Sequence, residues 1–367
     1  MKVSFPRMGT SYIAFKHLIE HLGHECVVPP APSSKTLNLG VKYSPEFACI
    51  PFKVLTGTYI EALEMGADTL ITSGGVGPCR AGLYGMLHQK ILKNLGYDFE
   101  MLVFEPPLLY LVDFVTKLRK ILKPAKISWR RFYKELKAAW QKLMVLDDVE
   151  ILSHQIRPYE LHKGSTTIAF NKCLALIDRA DSPDEIARSK EECIEILNSV
   201  PQDKSRKPLR VGIIGEIYVV LEPFMNLEIE KTLGELGVST HRSIYLTQWA
   251  RNNTIINTEG GIRKAAYPYL KRMIGGHGIN SLGETVLYAK NGFDGVVQIA
   301  PFTCIPEIVA KSILPRVSKD LNIPVLSLTI DEQTGKAGLQ TRLEAFVDLL
   351  QQKRMMEENV YARFSGN

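Results

Sequence analysis

Two stretches of this sequence repeat one rhythm: a short apolar run, a helix-length segment, a glycine, and a further apolar run. In the first stretch the pattern predicts strands at residues 2–5, 25–28, 69–72 and 100–104, with helices at 12–22, 51–65 and 81–95. In the second it predicts strands at 211–214, 240–245, 296–299 and 325–328, with helices at 226–236, 285–291, 306–314 and 340–354. Gly23, Gly66, Gly96, Gly237 and Gly292 stand just past predicted helix ends, where a left-handed residue is needed. Strand–helix alternation argues for a parallel, doubly wound sheet. The expected fold class is therefore α/β, with two Rossmann- or flavodoxin-like lobes.

Between Pro106 and Lys207 the alternation stops, helical periodicity dominates, and PQDKSRKP at 201–208 reads as a polar linker. The expected division is 1–105 for a first lobe carrying Cys49 and Cys79, and 106–206 for a helical, partly basic insert. A second lobe at 207–350 carries Cys304, and 351–367 is a helix end and tail. A chain of 367 residues suits two domains with an insert. Its most apolar stretch, 102–115, is broken by Glu105, Pro106 and Pro107, so no membrane span is expected. The N-terminus lacks a signal peptide's apolar core, which predicts a cytoplasmic protein. The net charge of +6 is concentrated between Asp113 and Met144, where ten Lys or Arg face two acidic residues. No nucleic-acid motif accompanies them. The stretch reads as a solvated face or as a dock for an acidic partner or the phosphates of coenzyme A.

Six cysteines in a cytoplasmic chain are expected to be thiols or metal ligands rather than disulfides. Cys49 and Cys304 each precede a proline that opens a helix, and Cys79 follows Gly77-Pro78 into another. Helix N-termini favour thiolate over thiol, and sites in open α/β sheets form beyond the carboxyl ends of strands. Three thiolates converging from two lobes would select an iron–sulfur cluster or zinc. Cys26, Cys173 and Cys193 read as core residues. No CxxC is present, which argues against a zinc ribbon or a thioredoxin-type pair. Phe47-Ala-Cys49-Ile-Pro51 and Phe302-Thr-Cys304-Ile-Pro306 form an internal echo. It reads as a trace of lobe duplication or as a coincidence of helix-start chemistry.

These residues resemble a known family. Glu46 to Lys53 (EFACIPFK), Gly74 to Cys79 (GGVGPC) and Gly292 to Lys311 are similar to the 2-hydroxyacyl-CoA dehydratase / benzoyl-CoA reductase superfamily. Asp331 to Gly335 running into Thr341 to Phe346, with Pro6 to Gly9 and Leu22-Gly23, resembles its branch of CoA-enzyme-activase-related proteins. The resemblance implies two α/β lobes holding one oxygen-sensitive 4Fe-4S cluster through Cys49, Cys79 and Cys304. It implies an electron from an ATP-dependent activator of the actin/sugar-kinase fold, a ketyl radical formed from a thioester, and an acyl-CoA as candidate substrate. A homo- or hetero-dimer is a further expected assembly. Two other readings stand beside it: a non-catalytic cluster carrier or assembly subunit, and a zinc-bound structural protein.

No P-loop is present, and Arg80 stands where the third glycine of a dinucleotide loop would be. Gly212 to Glu216 reads as a strand exit, with a tight turn near a ligand as the alternative. In the loop Gly275-Gly-His277-Gly, His277 is the candidate proton donor or a residue touching the cluster, with an idle loop histidine as the plain alternative; Ser281 is a candidate helix cap. Arg342 and Glu344 either pair with neighbours or line the cleft.

Overall fold

The computed structural model describes residues 1–75, 77–254 and 260–365. Val76, in the glycine run before Cys79, and the last two residues of the tail fall outside them. The first lobe runs β1 (Lys2–Ser4), α1 (Tyr12–His21), β2 (Glu25–Cys26), α2 (Ser34–Tyr43), α3 (Ile50–Glu64), β3 (Thr69–Ser73), α4 (Tyr84–Asn94) and β4 (Glu100–Phe104). Four helices follow: α5 (Leu111–Leu122), α6 (Trp129–Ile156), α7 (Ser165–Arg179) and α8 (Pro183–Asn198). The second lobe begins with β5 (Leu209–Gly215), α9 (Ile217–Leu221), α10 (Pro223–Asn226), α11 (Ile229–Glu235) and β6 (Val238–Arg242). It continues through α12 (Leu246–Thr254), α13 (Gly260–Ala266), α14 (Gly278–Lys290), β7 (Gly295–Pro301), α15 (Ile305–Leu321), β8 (Val325–Ile330) and α16 (Lys336–Ser365).

Each lobe carries one four-stranded, all-parallel sheet, in the orders β2-β1-β3-β4 and β6-β5-β7-β8. Val3 pairs with Thr69 in the first and Val211 with Gly295 in the second. All seven residues of β7 are buried, as expected of a strand covered on both faces. In both sheets the order reverses beside the first strand, which opens a crevice there at the carboxyl edge.

The two lobes join through α3, which is buried along thirteen of its fifteen residues. Ile50 and Val54 pack into the second lobe's core with Val211, Ile299 and Leu343. Tyr59, Ile60 and Leu63, further along the same helix, pack into the first lobe's core with Leu70 and Met101. A helix apolar nearly all round belongs inside. Lys53 is 4% exposed, and its Nζ reaches Glu332 of the second lobe at 2.7 Å.

Sequence periodicity missed α2. Its start signal is Ser33, whose hydroxyl accepts from Thr36 N in a capping box built with threonine instead of the usual Glu or Gln. Two glycines let α2 lie against α3. A Cβ on Gly40 would sit 1.8 Å from Lys53 O, and one on Gly57 would sit 1.9 Å from Thr36 O. Alanine at 57 gains up to about 1 kcal/mol of helix propensity, but overpacking against rigid backbone costs about 1–3 kcal/mol, so the clash wins. Gly57→Ala is expected to lower the chemical-denaturation midpoint; an unchanged or raised midpoint would show that the helices can part freely.

Several expected boundaries move. The helix expected to stop at Leu314 runs through Pro315 to Leu321. The proline is exposed, while Leu314 and Val317 are 1% and 0% exposed, so core contacts on the inner face carry the helix past the lost hydrogen bond. The helix expected from residue 226 starts at Ile229, because Leu227 and Glu228 both take left-handed φ values of 56° and 60°. The helix expected from Thr285 starts at Gly278, which places Ser281 inside it. Ser281 is no cap; its hydroxyl donates to the Glu307 carboxylate at 3.0 Å. Cys173 and Cys193 are fully buried between α7 and α8, as expected of core residues.

Candidate metal centre

The structure brings Cys49, Cys79 and Cys304 to one cavity between the lobes, lined also by Pro78, Arg80 and Tyr84. Each cysteine is the residue before a helical turn: Cys49 before α3, Cys304 before α15, and Cys79 before the 3-10 turn Arg80–Leu83 that leads into α4. Prolines follow Cys49 and Cys304 in the first helical turn, where a missing N–H is harmless.

Topology corrects the meaning of the echo between the Cys49 and Cys304 segments. Cys304 follows β7, the third strand of its sheet in chain order, as Cys79 follows β3, the third strand of the first. Cys49 lies before β3, on a helix with no second-lobe counterpart carrying a cysteine. The duplicated position is thus Cys79/Cys304. The FxCIP likeness reflects the shared chemistry of a proline-opened helix.

Arg80 ties the three segments together. Adjacent to Cys79, it donates from Nη1 to Phe47 O at 2.9 Å and from Nη2 to Thr303 O at 2.6 Å and Thr303 Oγ1 at 3.2 Å. Thr303 Oγ1 donates in turn to Phe47 O at 3.3 Å. Thr303 has φ of 65°, a left-handed conformation costing a β-branched residue about 1–3 kcal/mol; the guanidinium holds it there. In sequence Arg80 was only a residue that spoiled a glycine motif. Its role depends on partners up to 223 positions away, which no local pattern records.

Tyr84 O–H and Cys49 Sγ are hydrogen-bonded. Glu216, the residue after β5, caps α9 by accepting from Val219 N at 3.0 Å, and burial pushes its carboxyl up to about 7. The turn read as a plain strand exit is a tight one. Gly215 has φ of 145°, and a Cβ there would sit 2.1 Å from Ile299 O. Behind Cys304, fully buried Glu307 accepts from Ser281 and from Gln298 Nε2 at 2.8 Å, and burial pushes its carboxyl up to about 7 as well.

Burial works against the thiolate form that the helix N-termini favour. Burial pushes Cys49 up to about 11, against the hydrogen bond from Tyr84, and also raises Cys79 and Cys304; the Glu216 carboxylate adds to all three. Removing a thiolate from water outweighs the helix N-termini here. A metal bound at these sulfurs would take the place of their protons.

His277 stands at the start of α14 in a loop packed on the cysteines. A Cβ on Gly275 would meet Cys79 N at 2.8 Å, and one on Gly276 would meet Pro306 Cγ at 3.0 Å and Cys79 Sγ at 3.9 Å. Glu344 accepts from Gln340 at 2.9 Å, the neighbour-pairing reading; Arg342 is exposed. Four of the ten clustered cations are committed within the chain. Lys117 donates to Val103 O and Asp113, Lys120 to Glu100, and Arg131 to His21 O, while Lys142 is 1% exposed.

Three soft thiols are the donor set of an iron–sulfur cluster or of zinc. The cavity itself is about 20 Å³, so seating any such group needs the thiols to swing outward about χ1.

The sequence matches, over residues 19–350, the model of the family described as 2-hydroxyglutaryl-CoA dehydratase, D-component. Among curated proteins none matches the chain. No helix among the described residues is long and apolar enough to cross a membrane.

Proposed function

The chain belongs to the family of the 2-hydroxyglutaryl-CoA dehydratase D-component, and on that premise we propose that it is a dehydratase-type component whose Cys49, Cys79 and Cys304 hold a 4Fe-4S cluster. The observation that carries the reading is three thiols, from two separately folded lobes, lining one cavity. Soft thiolates are the donor set such a cluster takes. When bound, the group supplies one-electron chemistry toward a carbonyl activated as a thioester, the electron coming from an ATP-dependent activator and the substrate being an acyl-CoA.

The chain's own residues do the rest. The thiols bind after losing their protons. Arg80 places a fixed positive charge beside the anionic sulfurs, and the Tyr84 O–H donates to Cys49 Sγ; both lower the energy of added negative charge. The Gly275–Gly278 loop covers Cys79 and limits solvent at the sulfurs. Three cysteines would hold the group with one protein thiolate fewer than a four-cysteine ferredoxin supplies, which would leave it open to an exogenous ligand. Glu307, fixed by Ser281 and Gln298, braces the start of α15 behind Cys304.

The test is anaerobic purification followed by iron and sulfide analysis and EPR. The expected protein is brown, slowly reduced by dithionite, reduced faster by an activator with ATP, and altered in its EPR signal when an acyl-CoA is added. A colourless protein would overturn the cluster assignment. A cluster whose EPR signal ignores every added thioester would replace the dehydratase role with that of a closed electron carrier.

A further inference from the structure

The described residues hold a second group of metal-ligating side chains, distant in sequence from all three cysteines of the cavity. His17 and His21 stand one turn apart on α1 with their rings stacked, centroids 4.0 Å apart and planes 28° apart. Glu135, on α6, places a carboxylate oxygen 3.3 Å from His21 Nδ1. One ring nitrogen from each histidine and one Glu135 oxygen lie within 4.8 Å of one another. Asp181, in the connection between α7 and α8, sets a single oxygen 3.8 Å from His17 Nδ1 and 3.6 Å from His21 Nε2.

Two observations separate this cluster from an ordinary surface ion pair. His17 is only 3% exposed, and its Nε2 is buried with no hydrogen-bond partner among the described residues. Its Nδ1 is already faced by Lys142 Nζ at 3.4 Å, which also donates to Asp178 O at 3.2 Å. A buried ring nitrogen left without a partner is costly. A cation held by the cluster relieves it, at Nε2 as placed or after a flip of the ring that exchanges its two nitrogens. His21 has a carboxylate beside each of its nitrogens, so a cation between ring and carboxylate would meet nitrogen and oxygen donors together. The sequence His17-Leu18-Ile19-Glu20-His21 also has the H-x-x-E-H spacing by which a helix presents two imidazoles to zinc, with a glutamate from elsewhere in the chain as a further ligand.

We propose that His17, His21 and Glu135, with Asp181 completing the set, bind one zinc-class divalent ion that clips α1 of the first lobe to the helical insert. Two imidazoles and two carboxylates suit borderline ions such as Zn²⁺ better than Mg²⁺ or Ca²⁺. Glu135 and Asp181, with Asp178 close by, supply the negative charge that offsets the Lys142 ammonium. Glu20 is exposed, so the assignment is to binding and not to hydrolysis. The structural consequence is a cross-link between α1 and α6, which already pack through Ile13 and Ala14 against Leu146 and Val149.

The experiment titrates zinc into the full-length protein and into His21→Ala and Glu135→Gln variants, both at positions that leave the buried His17 ring in place. Zinc retained after gel filtration and the zinc-dependent rise in melting temperature are read for each. Zinc taken up by the cysteine thiols is common to all three proteins and cancels in the comparison. The parent is expected to retain about one equivalent more than either variant and to gain several degrees on zinc addition that the variants do not gain. Equal zinc retention in all three, or a parent whose melting temperature ignores zinc, would overturn the site.

Discussion

With the proposed cluster held at the shared cavity, Cys304→Ala is expected to abolish iron loading. Cys304 is the second lobe's thiol at the cavity, so its loss leaves a donor set drawn from the first lobe alone. A site with only three thiolates would lose one of its three protein donors in each single variant. Cys49→Ala and Cys79→Ala should behave alike. Cys173→Ala and Cys193→Ala are the informative controls. Both residues are fully buried between α7 and α8, so truncation costs stability, about 1 kcal/mol per site, yet iron content should stay at the parental level. Iron and sulfide per folded chain, measured after anaerobic reconstitution, separates the two effects. Full loading of the Cys304 variant would mean that the cluster, if present, sits within the first lobe, and the shared cavity would lose its meaning.

The second large effect concerns Arg80, which touches no metal in this scheme. Its guanidinium donates to backbone oxygens beside Cys49 and Cys304 while being covalently next to Cys79. Hydrogen bonds from a charged donor contribute about 1.5–3 kcal/mol each when well formed. Arg80 is partly exposed, so the lower end applies, and Arg80→Ala should cost on the order of 3 kcal/mol. The strained Thr303 is then free to relax, carrying Cys304 away from the other two sulfurs. Arg80→Lys keeps the charge but has one ammonium in place of two separated nitrogens. It cannot hold Phe47 O and Thr303 O together. The expected result is low cluster loading in Ala, intermediate loading in Lys, and a shifted reduction potential in whatever fraction of Lys loads. A purely structural arginine would lower stability in both variants without moving the potential of the loaded protein. Parental loading and potential in Arg80→Ala would remove the clasp from the scheme.

Much of this architecture was legible in the chain. All eight strands appear where apolar runs predicted them, within a few residues at each end. For β5 and β7, buried nearly throughout, that is because a strand covered on both faces must be apolar along its length. The glycines at 23, 66, 96, 237 and 292 all take positive φ, since only glycine ends a helix there without strain. The three cysteines were singled out by proline and glycine punctuation, which is also local. At Pro315, packing in the core overrode the preference of the residue itself, while left-handed φ at Leu227 and Glu228 delayed the start of α11.

What only the tertiary structure decided is what lies between segments far apart in the chain. The pairing of Cys304 with Cys79 as equivalent positions follows from strand order, not from the five-residue likeness that suggested Cys49. The reach of Arg80 to Phe47 and Thr303, the cap and field of Glu216, and the meeting of His17 and His21 with Glu135 each join elements tens to hundreds of residues apart. Helix-start placement singled out the thiols that line the cavity, but burial, which works against their ionisation, is not written there. A sequence carries local propensity and periodicity directly, because these depend on a residue and its near neighbours. Desolvation and long-range hydrogen bonding exist only once the lobes have closed on one another, and in this protein those two effects make the site.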